Sequence, residues 1–303
     1  MLLKFNLRDK NMIQQIRILN RKLPLIRKLV SYNLAPSGLF DKAILNYPIS
    51  REWEKRIKEV LDCPDTEKIE TVENAGCINR GKQIMHNGLK INLGSYYGPE
   101  YSKLLYKTKG IHEPQEEFVF QEILKKIPDG AIMIELGSFW SFYSMWFNLK
   151  VANAVNIMIE PDSFNLGFGI RNFKLNKMKG EFLNAFVGDR SISNGIKLKQ
   201  VCVDDLMQAR NIEHLNILHS DIQGYENEML DGAQVALSQN KIDYFFISTH
   251  SNDIHNQCIS KLKEYDYHII CEVDKDHTYS EDGLIVASSP RIPKEEIIIS
   301  RKC

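Results

Sequence analysis

The residues of this sequence that could do chemistry gather at the ends of short apolar runs. Glu135, Gly137 and Ser138 end IMIELGS, and Glu160 and Asp162 end IMIEPD. Asp221 ends ILHSD, two residues after His219. His250 ends FFISTH, with Asp253 and His255 just beyond. A glycine after a strand lets backbone pass close to a ligand. An acid closing the next strand can accept hydrogen bonds from the two hydroxyls of a ribose, although Asp162 beside it also suits a helix cap. A histidine facing an aspartate can take a proton from a hydroxyl near neutral pH. Asp221, His250, Asp253 and His255 also form a donor set that a hard or borderline divalent ion accepts. The metal-free base is the favoured alternative. His219 reads either as a buried structural histidine or as a relay behind the reacting group.

Those runs imply the elements that carry them. From about residue 111, apolar strands at 131–137, 156–160, 182–188, 196–203, 216–221, 243–249, 267–273 and 283–289 are separated by helical patterns. The helices are expected near 142–150, 163–176, 224–238 and 253–265. This alternation predicts a mostly parallel sheet with helices on both faces, whose ligands bind at the carboxyl ends of the strands. Pro114 opens a further helix, with Glu116 and Glu117 in the first turn, where negative charge suits the dipole.

Residues 1–110 have a different texture, read as a helical and hairpin extension that binds an acceptor or forms an oligomer contact. Asn87-Gly88 between apolar runs predicts a hairpin, and Tyr96, Tyr97, Tyr101 and Tyr106 form an aromatic cluster. It can stack on a sugar-like ligand or fill a seam between subdomains. His112 and Glu113 join Tyr96 and Tyr97 as a candidate lid or acceptor wall. Residues 1–30 carry eight Lys and Arg against one acid, with an apolar stripe from Met12 to Val30. This basic segment can cover its own domain or dock on a partner or an anionic membrane.

Composition excludes several classes. With 39 basic and 39 acidic side chains the formal net charge is zero, so nothing draws the chain to nucleic acid. No apolar run reaches transmembrane length, and no secretory signal opens the chain. The six scattered cysteines contain no CxxC pair. Reduced thiols and a cytoplasmic location are expected. Phe139 and Phe142 stand where a dinucleotide loop needs glycine, which counts against a nicotinamide oxidoreductase.

Taken together, ELGSFWSFYS, IEPDSFNLGFGIRNFKLN and ILHSDIQGYENEMLDGA resemble, in order and spacing, the FkbM family of S-adenosylmethionine-dependent methyltransferases. The resemblance covers about residues 130–235, more weakly to 289. It implies a Rossmann-like class I methyltransferase sheet, seven-stranded and mostly parallel with the last strand antiparallel. It also implies methylation of a hydroxyl, often on a sugar. By the same resemblance, Glu135, Gly137 and Ser138 lie along the methionine part of the cofactor and Glu160 holds its ribose. Ala185 and Phe186 border the adenine, Asp221 lies beside the transferring methyl, and Glu226 is the acid of a D-x-x-G-x-E pattern. Two positions depart from the family: Ser141 replaces a second glycine, and His219 replaces a lysine. The alternatives to methyl transfer are nicotinamide-dependent oxidation and a non-catalytic cofactor-binding scaffold.

Overall fold

The computed structural model describes residues 41–194 and 197–302. The basic stripe of residues 1–30 lies outside the described residues. The described residues begin with α1 (Asp41–Leu45) and α2 (Arg51–Asp62), then a small antiparallel sheet of β1 (Ile78–Asn79), β2 (Lys82–Ile84) and β3 (Lys90–Asn92). Gly88, at φ 87°, turns the β2–β3 hairpin as Asn87-Gly88 predicts. Helices α3 (Pro99–Lys107) and α4 (Pro114–Leu124) lead into the main sheet.

That sheet contains β4 (Ile132–Leu136), β5 (Val155–Ile159), β6 (Glu181–Leu183), β10 (Leu215–Ser220), β11 (Ile242–Thr249), β12 (His268–Val273) and β13 (Gly283–Ser288). Its order is β12-β13-β11-β10-β4-β5-β6, and β13 runs antiparallel to both its neighbours. This is the expected seven-stranded, mostly parallel Rossmann-like sheet. The order reverses between β4 and β10, which leaves a crevice at their carboxyl ends. Every residue of β10 and β11 is buried, and apolar side chains predominate in both strands. Burial contributes roughly 1.5–3 kcal/mol for each large apolar side chain, and the site therefore rests on the most firmly held strands.

Helices α5 (Phe142–Lys150) and α6 (Ser163–Leu175) follow β4 and β5, and α7 (Val203–Ala209), α8 (Glu226–Asp231), α9 (Gln234–Ser238) and α10 (Asn252–Glu264) complete the layers. The single helix expected near 224–238 is two short ones, broken at Gly232-Ala233. There the Gly232 carbonyl accepts from Asp204 N instead of continuing a helix. The strand expected over 182–188 also divides. Asn184 Nδ2 donates to the carbonyls of Glu160 and Pro161, which peels the chain off the main sheet after β6. Residues β7 (Phe186–Val187) then pair with β9 (Lys197–Val201), beside β8 (Ile192–Asn194), in a separate three-stranded sheet.

Residues on both sides of position 110 share one apolar core: Ile57, Met85, Leu89 and Leu104 pack with Val119, Phe120, Phe142 and Trp146. Asn92 N donates to Asn172 Oδ1 of α6, fixing the small sheet on the larger body. Among the described residues no helix is long and apolar enough to cross a membrane.

Candidate active site

The turn after β4 is the tightest feature of the crevice. Gly137 has φ 75°, and a Cβ there would lie 1.7 Å from the Asp221 carbonyl oxygen, so no side chain fits. Gly137 N and Ser138 N both donate to Ile159 O at 2.9 Å, and Asp221 N donates to Leu136 O at 2.9 Å. Three strand ends are thereby drawn together. Phe139 and Ser141 continue the turn at φ 38° and 61°. The left-handed backbone at Ser141 explains the glycine usual at that position: a Cβ costs roughly 1–2 kcal/mol there.

Glu160 ends the next strand with both oxygens engaged. Its Oε2 accepts from Phe139 N at 3.1 Å and its Oε1 from Asp162 N at 2.9 Å. Burial pushes this carboxyl up, while the two amides partly oppose the shift. Asp162 caps α6, accepting from Phe164 N and Asn165 N. Glu135 is buried, and its Oε2 accepts from Ser144 N in the first turn of α5. Burial pushes Glu135 up to about 7, against the pull of His219 and Ser144. Ser138 is buried with its Oγ unpartnered. Ala185 is buried, whereas Phe186 is 60% exposed where the chain leaves the main sheet.

Asp221 and His250, at the ends of adjacent strands, meet as expected: Nε2 of His250 lies 3.4 Å from Asp221 Oδ1. A third member comes from elsewhere. Asp282 Oδ1 lies 3.6 Å from the same nitrogen. Behind the ring, His250 Nδ1 is 2.7 Å from Oε1 of Glu226, which is fully buried and also accepts from Gly224 N. Gly224 has φ 102° with open space around it, so its need for glycine is purely conformational. The D-x-x-G-x-E turn thus sends its acid back to clamp the histidine of the neighbouring strand. Burial by itself would lower the pKa of His250, but Asp221, Glu226 and Asp282 outweigh it and push the group up to about 10.

The remaining candidates lie outside this group. His219 is sealed, its Nε2 2.7 Å from Glu116 Oε1 and its ring 4.2 Å from that of Tyr143. Burial opposes its protonation, but Glu116 outweighs burial and raises it. His255 has both nitrogens taken, by Thr249 Oγ1 at 2.9 Å and Glu272 Oε2 at 3.0 Å. Asp253 stands in the first turn of α10. The donor group among the described residues is Asp221, His250 and Asp282, without Asp253 or His255. Asp282 precedes a strand instead of ending one, so the pattern of polar strand ends does not include it. An antiparallel strand begins at the edge where its parallel neighbours finish, and Gly283 pairs with Thr249. Glu281-Asp282 before GLIVAS was the available signal.

Glu116 and Glu117 stand in the first turn of α4 as expected, and each has a partner besides. Glu116 partners His219, and Glu117 Oε1 accepts from His112 N and Glu113 N while its carboxylate faces His112 and His86. Glu113 accepts from Tyr143 OH at 3.0 Å and is pushed up to about 8, chiefly by burial. Glu113, Glu116, Ser248, Thr278 and Asp282 line a cavity of about 10 Å³, roughly one water. Arg56 of α2 donates to the carbonyls of Tyr279 and His112, bracing the loop that carries Asp282.

In the tyrosine cluster, Tyr96 stacks on Trp140 with centroids 4.7 Å apart and Tyr101 is buried. Tyr97 is 53% exposed, and its ring lies 5.4 Å from that of Phe139. Burial, with Asp221 and Glu281 adding to it, pushes Tyr97 up to about 12. A larger depression of about 490 Å³ opens near the starts of β10 and β11 instead, and its His214, Asp243 and Arg291 are paired with one another. It is remote from the strand ends that carry the chemistry.

Residues 147–269 match the family model described as the methyltransferase FkbM domain. No curated protein matches the chain. Among solved structures, the chain is similar to the precorrin-6y C5,15-methyltransferase of Geobacter metallireducens GS-15, at 12% identity. That match covers 57% of this chain and 88% of that one, with a TM-score of 0.40. It is similar also to M. capricolum TrmK in complex with S-adenosyl-homocysteine, at 12% identity over 60% of this chain and 71% of that one, with a TM-score of 0.39. The match over 147–269 spans the second and third motifs of the resemblance, and ELGSFWSFYS precedes it; S-adenosylmethionine-dependent methyl transfer is the activity class of that family.

Proposed function

We propose that this protein transfers a methyl group from S-adenosylmethionine to a hydroxyl, on a sugar or glycoconjugate acceptor. The observation that carries the reading is the Asp221–His250–Asp282 group, which shares the strand-end edge with the Gly137 turn through the Gly137–Asp221 contact. The turn suits a cofactor without phosphates: Phe142 fills the core where a pyrophosphate loop needs open backbone, and Ser138 Oγ is buried without a partner. Gly137 and Ser138 would flank the amino-acid part of the cofactor, and Glu160 would accept from its ribose through lone pairs the two amides leave free. When bound, the cofactor supplies a methyl carbon whose bond to sulfur breaks as the hydroxyl oxygen bonds to it, with the electron pair remaining on sulfur.

The chain's own contribution is alignment and proton removal. A hydroxyl gives up a proton as it is methylated, and the Asp221–His250–Asp282 group accepts it. The imidazole and its carboxylates titrate together, so uptake belongs to the group as a unit. The exposed face of Tyr97 beside Phe139 supports a sugar ring, whose apolar face lies against aromatic rings while carboxylates accept from its hydroxyls.

Calorimetry with S-adenosylmethionine, S-adenosyl-homocysteine and NADH tests the reading. Binding of the first two, lost in Glu160→Ala, is expected. Binding of NADH instead would sink it, and cofactor binding without turnover on any hydroxyl acceptor would favour the scaffold alternative.

A further inference from the structure

Resting on the methyltransferase reading, a second ligand follows from the donor geometry at the strand ends. We propose that Asp221, His250 and Asp282 bind a divalent cation of the Mg²⁺ or Mn²⁺ kind, with open positions that take the acceptor's hydroxyl oxygen. Three elements contribute one ligand each: the end of β10, the end of β11 and the residue before β13. The candidate ligand atoms all lie within 4.8 Å of one another.

Two observations separate this group from an ordinary ion pair. First, His250 Nε2 is buried and makes no hydrogen bond, standing 3.4 and 3.6 Å from the two aspartates. His219, in a plain pair, sits 2.7 Å from its carboxylate. Neighbouring ligands of an ion bound at about 2.1–2.4 Å stand about 3.0–3.4 Å apart, close to the spacing at His250. Second, Glu226 holds the opposite nitrogen at 2.7 Å. That contact fixes the tautomer with the Nδ1 proton toward Glu226 and the Nε2 lone pair toward the aspartates. A carboxylate behind a histidine is the usual support of a metal ligand.

Charge points the same way. Lys275 Nζ, 3.2 Å from Asp282 Oδ1, offsets one of the three carboxylates around the ring. With an ion in place of the Nε2 proton, His250 is a neutral ligand and two negative charges remain, which one divalent ion balances. Two carboxylates and one imidazole suit ions between the hard and borderline classes. A bound cation would also lower the pKa of a coordinated hydroxyl, whose proton would pass to a carboxylate oxygen of Asp221 or Asp282 that does not hold the ion.

The test is Mn²⁺ titration of the full chain without cofactor or acceptor, following free ion by electron paramagnetic resonance. One ion per chain is expected. Asp282→Asn and His250→Gln should each weaken binding at least about tenfold, as should Glu226→Gln, while Asp253→Asn should bind as the parent does. Thermal melting by circular dichroism confirms that each variant is folded. Should Asp282→Asn not fold, His250→Gln decides. Absence of bound Mn²⁺ at millimolar concentration, or undiminished binding by folded Asp282→Asn or His250→Gln, overturns the proposal. Calorimetry with S-adenosylmethionine on the same sample shows independently whether the methyltransferase reading stands.

Discussion

Two sets of histidine–carboxylate contacts lie in one molecule and differ in what surrounds them. The His219–Glu116 pair and the His86–Glu117–His112 group are sealed in the core, against Phe120, Tyr143, Trp146 and Phe142. The His250 group sits at the strand-end edge, with 14% of the histidine side chain, 26% of Asp221 and 20% of Asp282 exposed. Residue type does not separate the two sets. Access does, along with the direction in which the second imidazole nitrogen faces. In the sealed pair the charges serve each other. At the edge, one nitrogen is clamped and the other is left for a ligand or a proton.

The largest expected effect lies at the edge. Asp221→Ala or His250→Gln should reduce methyl transfer by about 10²–10⁴-fold with little change in melting temperature; steady-state rates beside a melting curve check both halves. A large loss of stability from either change would place the edge set with the sealed one.

The sealed set should respond in the opposite sense. Glu116→Ala leaves His219 without its partner, at a cost of roughly 3–5 kcal/mol as for a broken buried pair. Urea unfolding reads that loss, while cofactor affinity per folded molecule should hold. Unchanged stability with lost turnover would turn His219 into a relay.

Glu135 sharpens the comparison through pH. Its folded pKa, about 7, lies above the ordinary carboxylate value of 4.5, so its favourable contribution is present below 4.5 and is lost as pH rises through 7. Glu135→Gln should therefore flatten the fall in unfolding free energy between pH 4.5 and pH 8, by about 3 kcal/mol at most. An equal slope in parent and variant would remove Glu135 as the cause.

The smallest effect belongs to the turn between the two sets. Ser141→Gly should stabilise by about 1 kcal/mol by relieving a left-handed residue, less the entropy glycine adds to the unfolded chain. Chemical denaturation of both proteins measures the difference. No gain would mean that the buried hydroxyl offsets the strain.

Much of this was legible in residue order. Strand ends at Glu135, Glu160, Asp221 and His250 were readable because apolar runs of strand length stop on polar residues, and buried parallel strands permit little else. Asp162 as a cap followed from its place before a helix. Gly137 and Gly224 were readable as turns, but not the reason for each: one is forced by the Asp221 carbonyl 1.7 Å from its missing Cβ, the other by backbone angle alone. The split of 182–188 was hidden, since Asn184 leaves the sheet only because two carbonyls await its amide.

The sequence by itself determined the alternation of strands and helices, the acids at the crevice and the likeness to a methyltransferase family, because periodicity and motif spacing are local properties of the chain. Tertiary structure alone decided which histidine lies at the strand-end edge and which is sealed in the core. It also brought in Asp282, removed Asp253 and His255, and set Glu226 behind His250. Those outcomes depend on which strands become neighbours and in which direction each runs, and side chains far apart in the chain meet only after that choice is made.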